Sequence, residues 1–408
     1  MEKENRLFII GSVWPEPSSS AAGSRMLQLI AVFKKANYSI TFGAASPENE
    51  FTREIQELGY HTKQIELNST SFDAFLETLM PTVVLFDRFM TEEQFGWRVI
   101  QSCPAAIRIL DTEDLHGLRK ARQIALKQHT DYHQEFFNDI TKRELASILR
   151  CDLTLIISEA EMTLLKSLGI NEVLLHYCPF MLERTDEIPQ KTFEERKHFV
   201  TIGNFKHAPN EDVVNYLKST IWPLIRKKHP NAELHIYGAY VHQKHLQLTN
   251  VKDGFIVKGK AVDAVSTIEN YSVLLAPLRF GAGLKGKLID ALITGTPMIM
   301  SSIAAEGMFG DHVDEFSISD DPEVFASQAS QLYTNKEQWN QQQQLGLQVL
   351  KKRFAFKEHE KVLLDRLTQL HTNLQSLRRQ NTFGQVLQHQ SLLAHRYLSK
   401  WIEEKNKS

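Results

Sequence analysis

The stretch Leu278–Pro297, LRFGAGLKGKLIDALITGTP, decides the fold. It follows the short apolar run Val273–Ala276, sets Gly281, Gly283 and Gly286 around Lys285 and Lys287, and then turns to helical spacing. Strand, glycine-rich turn and helix in that order read as one unit of a parallel sheet. Glycines let the backbone approach a ligand closely and take positive φ. The helix start presents unpaired N–H groups and the positive end of its dipole, to which the two lysines add full charges. Together these make an anion site suited to a diphosphate. The loop has neither the GK(S/T) of a Walker loop nor GxGxxG spacing. A tight turn with solvated lysines is the plainer reading of the same residues.

The same alternation extends in both directions. Upstream, Leu7–Ser12, Tyr38–Ala44, Thr82–Asp87, Ala106–Leu110 and Leu153–Ser158 read as strands. Ala22–Asn37 and Phe51–Leu58 have helical spacing between them. Around the quoted stretch, His198–Ile202, Glu233–Tyr237, Phe255–Val257 and Pro297–Ser301 are further strands, and Glu211–Lys227 a helix. Strands alternating with helices imply parallel sheets covered on both faces. Glu183–Lys197, ERTDEIPQKTFEERK, is densely charged without an apolar cluster, as a solvated linker between domains would be. The expected organisation is an α/β chain: a Rossmann-like domain over 1–182, a linker over 183–197, a second Rossmann-like domain over 198–374 and a helical tail over 375–408.

The 408 residues leave room for two to three domains at about 150 residues each. Lys and Arg number 47 against 49 Asp and Glu, a formal charge of −2, which gives no support to general nucleic-acid binding. With 42% apolar and 24% charged residues the composition is globular. No run approaches the roughly 18 apolar residues of a membrane span, and the start MEKENRLFIIGS does not read as a secretory signal. Cys103, Cys151 and Cys178 are odd in number and far apart, which excludes a disulfide framework and a CxxC metal site. The expected compartment is the cytoplasm.

Other polar clusters sit at strand ends, where open α/β sheets bind ligands. Asp111-Thr-Glu-Asp-Leu-His116, with Arg119 and Arg122 after it, follows Ala106–Leu110. Asp114 and His116 are its catalytic candidates, and a capped strand-to-helix turn is the alternative. Zinc on Asp111, Glu113 and His116 fails for want of a second histidine at ligand spacing, so no metal site is expected. Trp14–Arg25 joins the first strand to the first helix through small residues, and Arg25 would add charge to a cleft. Lys206 and His207 follow the first strand of the second domain, and Lys206 would neutralise a departing diphosphate. Glu306 and Gly307 occupy the same place after Pro297–Ser301.

The tail differs in character. From Gln375 onward it carries six Lys and Arg against two Glu. Ala394, Tyr397, Leu398, Trp401 and Ile402 share one helical face. Packing on the body or self-association explains such a stripe, and peripheral contact with the inner face of a membrane is the sharper alternative.

Three motifs carry a resemblance. RFGAGLKGKLIDALITGTPMIMSSIAAEGM resembles the nucleotide-sugar motif of GT-B-fold glycosyltransferases, in particular the retaining family four, also called group 1. Phe199–Asp212, FVTIGNFKHAPNED, resembles that family's GxFxHxPNxDA, and Ala304-Ala-Glu-Gly307 its AEG. The resemblance implies two Rossmann-like domains facing a cleft, the second holding a nucleoside-diphosphate sugar and the first an acceptor hydroxyl, with no further cofactor. It implies cleft roles for the first loop and for His116, which would lie beside the donor sugar. The family's paired glutamates are altered: Asp290 stands at the second position, where a carboxylate accepts from ribose hydroxyls, and Ala282 at the first. The implied activity is retaining glycosyl transfer, by same-face attack assisted by the leaving phosphate. A nucleotide-sugar epimerase, a glycosyl phosphorylase and a non-catalytic sugar-nucleotide scaffold are the alternatives.

Overall fold

A computed structural model describes residues 5–183 and 191–407. The first sheet contains β1 (Arg6–Gly11), β2 (Ser39–Ala44), β3 (His61–Gln64), β4 (Val83–Asp87), β5 (Ile107–Asp111), β6 (Leu153–Ile156) and β7 (Leu175–Tyr177). Their spatial order is β3-β2-β1-β4-β5-β6-β7, and every pairing is parallel. The second contains β8 (Phe199–Ile202), β9 (Leu234–Tyr237), β10 (Phe255–Gly259), β11 (Val273–Ala276), β12 (Met298–Met300) and β13 (Ser317–Ile318), in the order β10-β9-β8-β11-β12-β13. Both sheets reverse their winding direction, between β1 and β4 and between β8 and β11. A crevice opens at the carboxyl end of the strands at such a point.

Alternation along β1 shows why both faces are covered. Leu7 and Ile9 enter one apolar cluster, Phe8 and Ile10 the cluster on the opposite face. The short strands β3, β7 and β13 were not expected from the sequence. The register of β3 is exposed and polar (His61, Lys63, Gln64), so this edge strand carries no hydrophobic signal. The expected helix Glu211–Lys227 begins earlier, at Ala208, and widens to a π-turn over Leu217–Ile221 before continuing from Trp222. Pro223, which has no N–H to donate, accounts for the break in the ladder.

Two domain boundaries move. Residues 184–190 of the expected linker lie outside the described residues. The remainder belongs to the second domain: Arg196 is buried, donates to the Thr294 carbonyl and the Thr296 hydroxyl, and stacks over Trp339. At the other end, the helix Phe356–Gln380 does not stay with the second domain as far as residue 374. Phe356, Leu363, Leu367, Leu370 and Leu374 lie at helical spacing in the same cluster as Leu7 and Ile9. The chain crosses back at Ala355, beside its outward crossing at Leu182. Leu182 N–H donates to Phe354 O at 2.7 Å, and Phe356 N–H to Leu182 O at 3.0 Å. The last helix, Thr382–Lys407, packs on the first domain's helices Phe89–Ser102 and Asp139–Arg150.

Candidate functional site

The two reversal points face each other and enclose a cavity of about 680 Å³, lined from both domains. The second domain's wall is built from helix starts. Helix α1 (Ala208–Tyr216) follows β8 with His207 at its N-cap, and α2 (Gly286–Thr294) follows the glycine loop with Lys285 at its N-cap. Neither helix has a side chain capping its first amides. On the opposite wall, Glu144 accepts from the backbone N–H groups of His116 and Gly117 at 2.7 Å each, filling that helix start. Two open dipole ends therefore meet the cavity from the second domain, and the uncapped first-domain helix Phe89–Ser102, whose N-cap Arg88 lines the cavity, is a third.

Lys206, Gly281, Lys285, Gly286, Lys287 and Asp290 all line the cavity. Lys287 Nζ donates to Asn210 Oδ1 at 2.8 Å, and burial, with Lys285 nearby, pulls it down to about 7. Lys285 Nζ is folded onto its own loop, donating to Ala282 O at 3.1 Å and Gly283 O at 2.5 Å; burial brings it to about 8 against the pull of Glu306 and Glu161. Lys206 Nζ stands 3.4 Å from the Tyr240 ring centre. Burial, then Asp263, raises Asp290 to about 7.

Asp114 and His116 line the first domain's wall. His116 Nε2 lies 3.4 Å from Asp114 Oδ1, and its ring meets Phe89 edge-on at 5.7 Å. Burial lowers His116 to about 4, so it is neutral at pH 7. Burial works to raise Asp114, but Arg119, His116 and His207 outweigh it and hold the carboxyl well below its ordinary range. His207, from the opposite domain, is also brought by burial to about 4.

Three candidates do not line the cavity. Arg25 is fully buried beneath it, with Nη1 2.6 Å from Asp111 Oδ2 and 3.2 Å from Glu113 Oε1, and Nη2 donating to Cys178 O. It braces the strand ends and supplies no cleft charge, which corrects the expectation. Glu306 pairs with Arg122 of the first domain at 2.6 Å, and Arg122 outweighs burial to hold it below its ordinary value. Gly283, at φ +63°, packs against Asp114.

Domain contact is what the glycine loop serves alongside any ligand. A Cβ at Gly286 would overlap Ala21 Cβ, and one at Gly307 would overlap the Ser158 hydroxyl. Gly281 O accepts from Arg122 at 2.8 Å, and Gly283 N–H donates to Glu161 of the first domain at 2.9 Å. Ala282 joins the first domain's apolar cluster, so a small side chain fits where the resembling family carries glutamate. Tyr240 OH donates to Glu16 at 2.6 Å, bridging the domains beside the first loop.

Residues missed in the sequence are Arg88, Glu161 and Tyr240. Arg88 lines the cavity at φ +70°, next to Asp87 at the end of β4, and the only available signal was a charge at a strand terminus. Glu161 lies in a helix, with nothing local to mark it. Among the described residues no cluster of His, Cys, Asp and Glu could hold a metal ion.

Two doubly wound parallel domains facing each other across such a cavity define the GT-B fold. Residues 196–335 match the family glycosyl transferases group 1, so the matched segment contains the glycine loop and the helix starts at Ala208 and Gly286. No curated protein matches the chain. Among solved structures, TarM of S. aureus, in a complex with fondaparinux, α-GlcNAc-glycerol and UDP, is 9% identical, with TM-score 0.68, over 90% of this chain and 100% of its own. Sucrose-phosphate synthase of Thermosynechococcus elongatus is 13% identical, with TM-score 0.68 and the same coverage. HepE of Anabaena, with UDP and glucose, is 9% identical, with TM-score 0.66, again over 90% and 100%.

Proposed function

We propose that this chain is a glycosyltransferase that moves a sugar from a nucleoside-diphosphate donor to an acceptor hydroxyl with retention of anomeric configuration. The observation that carries the proposal is the convergence, on one cavity, of two uncapped helix starts and of Lys206 and Lys287, opposite His116 and Asp114. Its support from outside the chain is the group 1 match over the same segment. The UDP complexes of TarM and HepE make UDP the first nucleotide to try.

The helix-end amides, Lys287 and Lys206 stabilise the diphosphate as it departs, without a metal, by charge already in place. Asp290 accepts from the ribose hydroxyls. His116, neutral at pH 7, hydrogen-bonds the donor sugar from the opposite wall. The acceptor attacks from the face the diphosphate leaves, and the leaving phosphate takes the acceptor's proton.

Melting temperature recorded with UDP, GDP, ADP and dTDP and their sugar conjugates tests the donor class, since a ligand that binds only the folded chain raises it. At least one should do so. The proton NMR spectrum of the glycoside formed from that donor should show the donor's anomeric configuration. An inverted product refutes retention, and release of free sugar with no acceptor dependence refutes transfer.

A further inference from the structure

We propose that the last helix, Thr382–Lys407, is a docking face for an anionic lipid bilayer. Its geometry separates two faces. Gly384, Leu392 and Ser399 are buried against the first domain, where Arg98 Nη2 donates to Ser399 and Arg150 Nη1 to Ser391. On the opposite side Tyr397 and Leu398 stand four and three residues before Trp401, and with Phe383 near the helix start they are between 54% and 77% exposed. Of the expected stripe, Ala394, Tyr397, Leu398 and Trp401 are exposed and Ile402 is half-buried. At ~1.5 Å per residue this 26-residue helix is about 39 Å long.

Charge selects the occupant. Arg396, Lys400, Lys405 and Lys407 accompany the stripe, while one of the two acids is turned inward. Glu403 accepts from Thr70 N–H at 2.8 Å and faces Arg98 at 3.5 Å. Glu404 alone stays outward, beside Lys407. An apolar stripe with an aromatic pair and flanking cations suits the interfacial zone of a membrane, where Trp and Tyr sit at headgroup level and lysines reach the phosphates. No helix among the described residues is long and apolar enough to cross a membrane, so the contact lies in the bilayer surface.

The test is sedimentation of the full chain with vesicles of phosphatidylcholine alone and of equal parts phosphatidylcholine and phosphatidylglycerol. The chain should bind the mixed vesicles and release as salt is raised. Trp14, Trp97, Trp222 and Trp339 are buried, so a blue shift of fluorescence on binding should vanish in Trp401→Phe. Leu398→Ser with Trp401→Ala should lower the partition coefficient at least about tenfold with an unchanged melting temperature. Lys400→Glu with Lys405→Glu should abolish the preference for the mixed vesicles, and Arg396→Gln should weaken it. Two results overturn the proposal: no binding to either vesicle, or a concentration-dependent dimer in sedimentation that the Leu398→Ser, Trp401→Ala variant loses. The proposal does not depend on the donor reading, and the vesicle experiment contains no nucleotide.

Discussion

Binding of a nucleoside diphosphate should draw protons into the protein, and the two loop lysines set how many. In the empty cleft, burial holds Lys287 near 7 and Lys285 near 8. At pH 8 the first is about nine-tenths neutral and the second about half neutral. A diphosphate against the start of the helix Gly286–Thr294 favours their charged forms and raises both values. Each unit of that rise is worth about 1.4 kcal/mol of binding. The sign follows from the direction of the shift. The gain is fully present at about pH 6 and below, where both lysines are already charged, and disappears as pH climbs through the bound-state values. Affinity should then fall by up to about tenfold per pH unit per lysine above pH 8. Calorimetric titration at pH 8 in HEPES and in Tris gives the proton count from the difference in enthalpy between the buffers. About one to one and a half protons should enter per nucleotide, and Lys287→Met should remove about 0.9 of that. His116 and His207, at about 4, do not titrate there, and Asp290, at about 7, is already mostly ionised. A buffer-independent enthalpy, or net proton release, would refute the placement of the diphosphate on this loop.

His116→Ala should reduce donor-saturated turnover by roughly ten- to a thousandfold, about 1.4–4 kcal/mol, with unchanged affinity for free nucleoside diphosphate. Loss of its edge contact with Phe89 should cost only about 0.5–1.5 kcal/mol of stability, so a stable variant with near-normal turnover rules the role out. Gly286→Ala puts a methyl group into Ala21 of the other domain, so turnover should collapse and the radius of gyration by X-ray scattering should increase; an unaltered radius with normal turnover would show that closure tolerates the methyl. Activity should survive EDTA in full, and an absolute Mg²⁺ or Mn²⁺ requirement would count against a site built on helix ends and lysines.

How much was legible depended on range in the chain. The unit Val273–Thr294 could be read because every part of its signal is local: an apolar run, glycines, cations and helical spacing within some twenty residues. The same holds for Asp111–His116 at the end of β5. Arg25 shows the limit. Its position at a helix start suggested a cleft cation, but its partners Asp111 and Glu113 lie 86 and 88 residues away, and only the folded sheet brings them beneath it. Ala282 looked like a missing carboxylate because one sequence does not reveal that the opposite domain packs on that position. The helix Phe356–Gln380 was counted with the second domain because an amphipathic face does not name the partner that covers it. Exposure of Tyr397, Leu398 and Trp401 was hidden for the same reason.

The central claim, that the cleft transfers sugar from a nucleoside-diphosphate donor held by the second domain, is tested most directly by turnover. The full chain, and its Lys287→Ala variant, would be assayed for nucleoside diphosphate release from UDP-, GDP-, ADP- and dTDP-sugars with a panel of hydroxyl acceptors. The account predicts acceptor-dependent release from at least one donor. It also predicts that Lys287→Ala weakens that nucleotide's binding by about 1.5–3 kcal/mol. Binding of a nucleotide unaffected by Lys287→Ala, with no release from any donor in the presence of any acceptor, would contradict it.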